Sequence, residues 1–155
     1  MTVKSRLLEL LEQHKGETLS GEDIGRELSC TRAAVWKAVN SLRQEGYPIE
    51  AGPNKGYMLA RESNLISAEG IRLFLDDPQV EIKIFDAISS TNLEARQLAV
   101  SGMAGHGSFV VAMEQTAGRG RRGREFYSPK GSGIYLSVIL EPKGTLEGSL
   151  LITTA

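Results

Sequence analysis

Cysteine is nearly absent from this sequence, since Cys30 is the only one among 155 residues. An intramolecular disulfide is therefore excluded, and a reducing compartment is expected. Long apolar runs are also missing, because no stretch approaches the roughly 20 residues that cross a bilayer. Charges among the N-terminal apolar residues do not fit a signal peptide. These absences predict a cytoplasmic chain with no membrane association.

A marked excess of charge of either sign is missing as well. Eighteen Lys and Arg stand against nineteen Asp and Glu, for a formal net charge of −1 at pH 7. A uniformly basic nucleic-acid binder is thereby excluded, so any such binding must come from a local patch. The hydrophobic fraction of 41% is ordinary for a globular protein, and the length suits one medium or two small domains.

The first 60 residues show helical periodicity followed by a hairpin pattern. Apolar residues recur at helical spacing from Val3 to Leu11, while Ser20 and Thr31 are placed to cap two further helices. The segment 47–60 is typical of two short strands around the turn GPNKG. This order of elements is that of a winged helix-turn-helix, whose third helix enters the major groove of DNA.

The third predicted helix carries most of the DNA-binding candidates. One stripe is apolar, and the opposite face offers cationic, amide and aromatic groups that can meet phosphates and base edges. The alternative is a packing module whose third helix is only solvated, but the scarcity of acidic residues between 28 and 44 favours DNA. The predicted DNA-binding residues are Arg32, Ala33, Trp36, Lys37, Asn40 and, in the hairpin turn, Lys55.

The second half of the chain alternates strand and helix patterns after a polar stretch, 61–67, that we interpret as a linker. Another helix is predicted to begin near Thr145, and we expect the chain to end inside it, leaving the second domain incomplete. The predicted fold class is α+β, with a DNA-binding domain over 1–60 and the first part of a mixed α/β domain over 68–155.

A loop of arginine and glycine, GRGRRGR at 118–124, lies between two predicted strands. Arginine offers a planar fork of donors that matches phosphate and carboxylate, while glycine lets the backbone approach a ligand. The pattern favours a loop that wraps an anion such as a polyphosphate, which would then order it. An RGG-like nucleic-acid segment and a solvated basic loop stay open as alternatives. The P-loop pattern is absent.

Three motifs behind the winged helix-turn-helix resemble bacterial biotin protein ligases that also act as biotin operon repressors. They are SSTN, EQTAGRGRRGREFYSP and GIYLSVIL, in this order. The resemblance covers essentially the whole chain and implies a catalytic domain like that of class II aminoacyl-tRNA synthetases. It implies that biotin and ATP, with Mg²⁺, give biotinyl-5′-adenylate and pyrophosphate. Biotin would then pass to one lysine of the biotin carboxyl carrier protein, and the adenylate-bound protein would dimerise and repress at operator DNA.

The resemblance also implies site residues. In the family, the start of the helix after SSTN and a following glutamine contact biotin, and the arginine-glycine loop closes over biotin and adenylate. The predicted biotin and adenylate contacts are Ser90, Thr91, Asn92, Gln115, Gly118, Arg119, Gly120 and Arg121. Arg119 and Arg121 are the catalytic candidates, because they would hold carboxylate and phosphate where charge develops. No protein-held metal is predicted.

Two departures from the family pattern affect the expected activity. Phe126 stands where many relatives have tryptophan, so the apolar face is kept and the indole donor is lost. The family's lysine motif, similar to KWPND, would lie beyond residue 155, so this chain alone is not expected to be active. A second hypothesis is a DNA-binding regulator that senses biotin without catalysis.

Overall fold

The structure, a computed structural model, describes residues 2–52, 55–77, 79–120, 122 and 124–141. The chain divides into two compact units, Met1–Pro78 and Gln79–Ala155. The predicted helix near Thr145 lies outside the described residues. Within the part of the chain that is described, no helix is long and apolar enough to cross a membrane.

Three capped helices begin the first unit: α1 (Val3–Gln13), α2 (Gly21–Glu27) and α3 (Arg32–Gln44). Each begins after a residue whose hydroxyl accepts a backbone N–H of the first turn, and two of these caps, Ser20 and Thr31, are the predicted ones. The apolar stripe of α3 is buried as predicted, and it packs with leucines of α1 in one core. That core contains Leu7, Leu8, Leu10, Leu11, Ile24, Leu28, Val35, Ala38, Val39, Leu42, Ile49 and Leu59.

The predicted hairpin is present as β1 (Ile49–Gly52) and β2 (Gly56–Leu59), paired antiparallel. Leu19 adds a bridge on the other side of β2, where its N–H and carbonyl both bond to Tyr57, at 2.9 and 2.8 Å. A Cβ at Gly56 would lie 2.2 Å from the Leu19 carbonyl oxygen, and the φ of +81° there also requires glycine. The wing is therefore tied to the segment that precedes α2.

The stretch after the hairpin makes contacts with helix α1 of the first unit. It contains α4 (Ala68–Arg72), and Ser67 caps this helix and donates to Glu12 Oε1 at 2.8 Å. Lys15 Nζ also donates to the Ser63 carbonyl, at 2.8 Å. The sequence interpretation placed a linker over 61–67 and began the second domain at 68, whereas the boundary of the compact units falls after residue 78. Contacts between residues about 50 positions apart cause this difference, and local sequence patterns do not reveal them.

The second unit contains a three-stranded sheet in the order β3-β4-β5. Strand β3 (Ile82–Phe85) pairs parallel with β4 (Phe109–Ala112), and β4 pairs antiparallel with β5 (Tyr135–Val138). Helix α5 (Thr91–Val100) joins the two parallel strands. It packs on one sheet face, where Ala95 and Leu98 meet Val110 and Ile139. The α+β prediction is confirmed.

Candidate ligand site and DNA-binding face

The start of α5 is buried at the end of β3. Ser90 is the N-cap residue with extended backbone, but its side chain makes no cap hydrogen bond. Ser90 and Thr91 are both buried, while Asn92 is exposed. The serine hydroxyl is thus not used to cap the helix, unlike the hydroxyls at the starts of α2 and α3. All three residues were predicted from SSTN to contact biotin, and that role stays a prediction.

Gln115 is brought to the start of α5 by backbone pairing that continues beyond the strands. Ile88 N donates to the Glu114 carbonyl at 3.1 Å, and Thr116 N donates to the Ile88 carbonyl at 2.9 Å. The Gln115 side chain then accepts two hydrogen bonds at Oε1, from Thr91 N at 2.8 Å and from Thr91 Oγ1 at 3.1 Å. Two of the predicted site residues, distant in sequence, are therefore in direct contact.

Two serines that the sequence interpretation did not single out complete this arrangement. Ser137 Oγ on β5 donates to Thr91 Oγ1 at 2.9 Å, and Gln115 Nε2 donates to Ser128 Oγ at 3.2 Å. We call Ser137, Thr91, Gln115 and Ser128 the glutamine network. Ser137 had a visible signal, because it is a lone polar residue in the apolar strand IYLSVIL. Ser128 lay within a quoted motif but had no signal of its own.

The described part of the arginine-glycine loop is hydrogen-bonded to the chain that follows it. Phe126 N donates to the Gly118 carbonyl at 2.9 Å, and Gly120 N donates to the Arg124 carbonyl at 2.7 Å. The base of the loop is therefore a hairpin-like ladder, which the sequence pattern did not predict. Arg119 is exposed, and its predicted contact with the ligand stays a prediction. Arg121 lies outside the described residues.

Gly118 is at the most crowded point of this ladder. A Cβ there would lie 2.4 Å from the Phe126 carbonyl oxygen and 2.6 Å from Ser128 Oγ. Both distances are far below van der Waals contact, so only glycine fits without movement of the chain. Gly120 is less restricted, since its Cβ would meet the Arg124 carbonyl oxygen at 3.3 Å. The first glycine of the motif thus has a steric role that is independent of any ligand.

An open cleft of about 1110 Å³ runs along the two sides of the loop and is lined by residues 114–119 and 124–129. A second cleft of about 870 Å³ adjoins the loop and shares Arg119, Arg124, Glu125 and Phe126 with the first. Of the described residues that line either cleft, none belongs to the start of α5 at 90–92. Gln115 and Ser128 are the members of the glutamine network that reach the larger cleft. The clefts therefore present exposed guanidinium groups beside the base of the loop.

The outer face of α3 presents most of the predicted DNA-binding residues to solvent. The Arg32 side chain is 76% exposed, Trp36 is 62% exposed, and Ala33 and Lys37 are exposed as well. Asn40 is half-buried, which leaves part of its amide accessible. An exposed tryptophan on a polar helix face is unusual, because this side chain normally packs in a core.

Two further basic residues of this region differ in whether their charged groups face solvent or are bonded within the protein. Lys55 is exposed beside the hairpin turn. Arg43, which the sequence places on the same side of α3 as Arg32, has both Nε and Nη2 bonded to the Ile49 carbonyl, at 2.8 and 2.6 Å. Its guanidinium therefore ties α3 to β1 and is occupied. Among the described residues, no group of three or more His, Cys, Asp or Glu is arranged to hold a metal ion.

Comparison with known proteins agrees with this two-part organisation. Residues 3–58 match the model of an HTH domain, and residues 84–153 match that of the Biotin/lipoate A/B protein ligase family. The chain is therefore similar to an HTH domain over its first part and to the biotin/lipoate A/B protein ligase family over most of its second. The resemblance inferred from the three motifs is confirmed.

Individual relatives carry both parts. The chain is 40% identical over 154 residues to the bifunctional ligase/repressor BirA of Bacillus spizizenii, a match that covers 98% of this chain and 47% of that protein. It is 39% identical over 137 residues to the protein of the same name from Escherichia coli K12, covering 88% of this chain and 41% of the relative. The chain thus spans about half the length of the curated relatives it matches.

A solved structure is also similar to part of the chain. It is that of biotin acetyl coenzyme A carboxylase synthetase from Helicobacter pylori with bound biotinylated ATP. The identity is 24% and the TM-score is 0.40, over 47% of this chain and 37% of that one.

Proposed function

We propose that this chain belongs to an ATP-dependent biotin protein ligase that is also a biotin-responsive transcriptional repressor. The biotin carboxylate attacks the α-phosphorus of ATP, and pyrophosphate leaves. The lysine amine of the biotin carboxyl carrier protein then attacks the acyl carbon of biotinyl-5′-AMP, and AMP leaves. Two relatives named bifunctional ligase/repressor support both halves of this proposal.

The glutamine network beside the arginine-glycine loop is the observation that carries the ligase half. Thr91 and Gln115 meet at hydrogen-bonding distance at the base of the loop, as expected if both serve one ligand. Ser90 is buried next to them with a hydroxyl that does not cap its helix, and it therefore remains available to a polar ring. A compact biotin-binding base beside a cationic loop suits a reaction between a carboxylate and a triphosphate.

The arginines of the loop have the charge that adenylation needs. Arg119 and Arg124 line both clefts, and Arg122 lines the smaller one. The carboxylate, the transferred phosphoryl group and the departing pyrophosphate are all anionic, so guanidinium donors at this position stabilise the charge that develops between them. We propose Arg119 and Arg121 as the groups that contact the carboxylate and the phosphate, with Gly118 and Gly120 allowing the backbone to approach.

Pyrophosphate release separates the ligase from the sensor hypothesis. The full-length protein is incubated with biotin, ATP and purified carrier protein, and pyrophosphate and the mass of the carrier are measured. A ligase releases pyrophosphate only when biotin is present and adds one biotinyl group to the carrier. A protein that binds biotin and operator DNA without releasing pyrophosphate would instead be a non-catalytic sensor.

The outer face of α3 supports the DNA-binding half. Arg32 and Lys37 are exposed on this face together with Trp36 and part of Asn40, and Lys55 stands on the wing. Because removal of one guanidinium that contacts a base edge costs about 1–3 kcal/mol, Arg32→Ala should weaken operator binding roughly ten- to a hundredfold. Biotinylation should stay near normal.

Arg96→Ala is the control for this experiment, since it also removes an exposed arginine, but from α5. Operator binding, measured by gel shift at two salt concentrations, should change little for Arg96→Ala. Equal losses for the two variants would mean that α3 does not recognise DNA. If Arg32→Ala lowers ligation as much as DNA binding, the assignment of DNA binding to the first unit and of ligation to the second is wrong.

Three further features are proposed from the family resemblance. Mg²⁺ enters with ATP as part of the nucleotide substrate, the adenylate-bound protein forms a homodimer, and the reaction takes place in the cytoplasm. The homodimer is tested by sedimentation of the full-length protein with and without a non-hydrolysable adenylate analogue. An unchanged sedimentation coefficient at concentrations that repress transcription would contradict it.

A further inference from the structure

The hydrogen bonds that run through Gln115 begin at a group that can only donate and end at a group that can only accept. The backbone N–H of Thr91 can only donate, and it points at Gln115 Oε1 at 2.8 Å. The Phe126 carbonyl can only accept, and it receives the Ser128 hydroxyl at 3.0 Å. Between these ends, Gln115 Nε2 donates to Ser128 Oγ at 3.2 Å. The Ser128 hydroxyl therefore accepts from the amide and gives its own proton to the carbonyl.

These constraints fix the orientation of the Gln115 amide. If the amide were turned by 180°, Nε2 would face the Thr91 N–H, and two donors would oppose each other. In the observed orientation both lone pairs of Oε1 are engaged, one by Thr91 N and one by Thr91 Oγ1. One Nε2 proton is bound by Ser128, so a single N–H remains for a ligand. The amide can thus recognise an acceptor atom and not a donor.

Burial of Ser128 makes the loss of its hydrogen bond to Gln115 Nε2 costly. Ser128 is 2% exposed, and the position where a Gly118 Cβ would stand is 3.3 Å from Gln115 Nε2 and 2.6 Å from Ser128 Oγ. The Ser128 hydroxyl is therefore shielded from water and held close to Nε2. Ser128 also accepts the Gln115 backbone N–H at its carbonyl, at 2.9 Å, so the serine is bound to the glutamine through both main chain and side chain.

We propose that Ser128 is a positioning residue of the biotin site, whose hydroxyl orients the Gln115 amide and acts on the ligand only through it. This inference rests on the proposed ligase function. Loss of the hydroxyl leaves Nε2 without its partner, so the amide stays bound to Thr91 through Oε1 but can tilt, and Nε2 is no longer held in place for the ligand. The effect is confined to the substrate that Gln115 contacts, so biotin binding weakens while ATP binding does not.

The test uses steady-state pyrophosphate release by the full-length protein, with biotin and ATP varied separately. Ser128→Ala should raise KM for biotin about tenfold, the effect expected of one hydrogen bond. KM for ATP and kcat should stay within about threefold of the unsubstituted protein. Ser108→Ala is the matched control, because Ser108 is also a buried serine of the second unit and lies outside the glutamine network. It should leave both KM values unchanged.

A double-mutant cycle with Gln115→Ala separates positioning from general support of the fold. If Ser128 acts through Gln115, adding Ser128→Ala to Gln115→Ala should raise KM for biotin by less than twofold. A serine that only stabilises the loop would weaken biotin binding equally in both backgrounds, and that result would overturn the proposal. Should Ser128→Ala fail to fold, Ser128→Cys keeps the side-chain size and supplies only a weak hydrogen-bonding group, so the same cycle is made with it.

The outcomes also separate this proposal from the function on which it rests. Absence of biotin-dependent pyrophosphate release by the unsubstituted protein would contradict the ligase function itself. Normal ligation together with an unchanged KM for biotin in Ser128→Ala would contradict only the positioning role. An equal rise in KM for both substrates would do the same, because Gln115 would then not be the residue through which Ser128 acts.

Discussion

Gly118→Ala adds one methyl group at the point where the loop ladder and the glutamine network meet. The new Cβ would stand 2.4 Å from the Phe126 carbonyl oxygen and 2.6 Å from Ser128 Oγ, whereas ordinary contact begins at 3.4 Å. One obstacle is backbone, so a rotamer change cannot relieve the overlap, and the two strands of the ladder must separate by roughly 1 Å. That separation stretches the bond from Phe126 N to the Gly118 carbonyl and moves Ser128 away from Gln115.

The size of the effect follows from these two changes. Overpacking of a tight site costs about 1–3 kcal/mol, and a weakened ladder bond adds about 0.5–1.5 kcal/mol. If the loop relaxes outward to relieve the overlap, a ligand must restore the close arrangement at a cost of about 2–3 kcal/mol. Biotin should therefore bind roughly 30- to 150-fold more weakly to Gly118→Ala.

The assay is titration calorimetry of the full-length protein with biotin, accompanied by thermal unfolding. Gly133→Ala is the control, since nothing lies within 4 Å of its Cβ. Gly120→Ala is a comparison within the loop: its Cβ would meet the Arg124 carbonyl oxygen at 3.3 Å, so overlap within the protein contributes little to any loss of affinity there. Biotin affinity of Gly118→Ala equal to that of Gly133→Ala would refute the steric argument.

Three other predictions follow from the loop, a helix cap and a tyrosine. Arg119→Ala and Arg121→Ala each remove a charge-assisted contact worth about 1.5–3 kcal/mol. Adenylate should therefore dissociate roughly ten- to a hundredfold faster and label unrelated proteins. An unchanged dissociation rate would contradict the proposal that these arginines hold the adenylate. Thr31→Ala should lower the free energy of unfolding of the first unit by about 1 kcal/mol in urea titrations, because its hydroxyl caps α3. Burial, followed by the nearby acidic side chains, raises the pKa of Tyr47 above its ordinary value, so the folded state holds its proton longer than the unfolded state. Stability should therefore fall as pH rises above about 10, and Tyr47→Phe should reduce that fall; an equal fall in both proteins would refute the assignment.

Local chemistry explains which elements the sequence predicted correctly. The caps Ser20 and Thr31 act within three residues, and the buried stripe of α3 depends only on helical period, so both were visible in the pattern. The same holds for the order of strands and helix in the second unit. The attachment of α4 to α1, in contrast, depends on a contact between Ser67 and Glu12, which are 55 positions apart.

The interior of the candidate site required information that no local pattern holds. Arg43 lies on the same side of α3 as the DNA-binding candidates, but the position of β1 decides that its guanidinium is occupied. The partnership of Gln115 with Ser128 depends on the register in which the chain returns after the loop. Family resemblance named Gln115 as a ligand contact, while the geometry adds that most of its hydrogen-bonding capacity is used within the protein.

The attachment of α4 to α1 decides where this protein can be recombined with another. The Glu12 side chain is 8% exposed, and its partners are the Ser67 hydroxyl and the Lys15 ammonium group. A chimaera joined at residue 60, where the hairpin ends, would remove Ser67 and uncover the surface of α1 on which α4 packs. A junction placed just before Gln79 keeps both contacts of the Glu12 carboxylate and transfers the first compact unit whole.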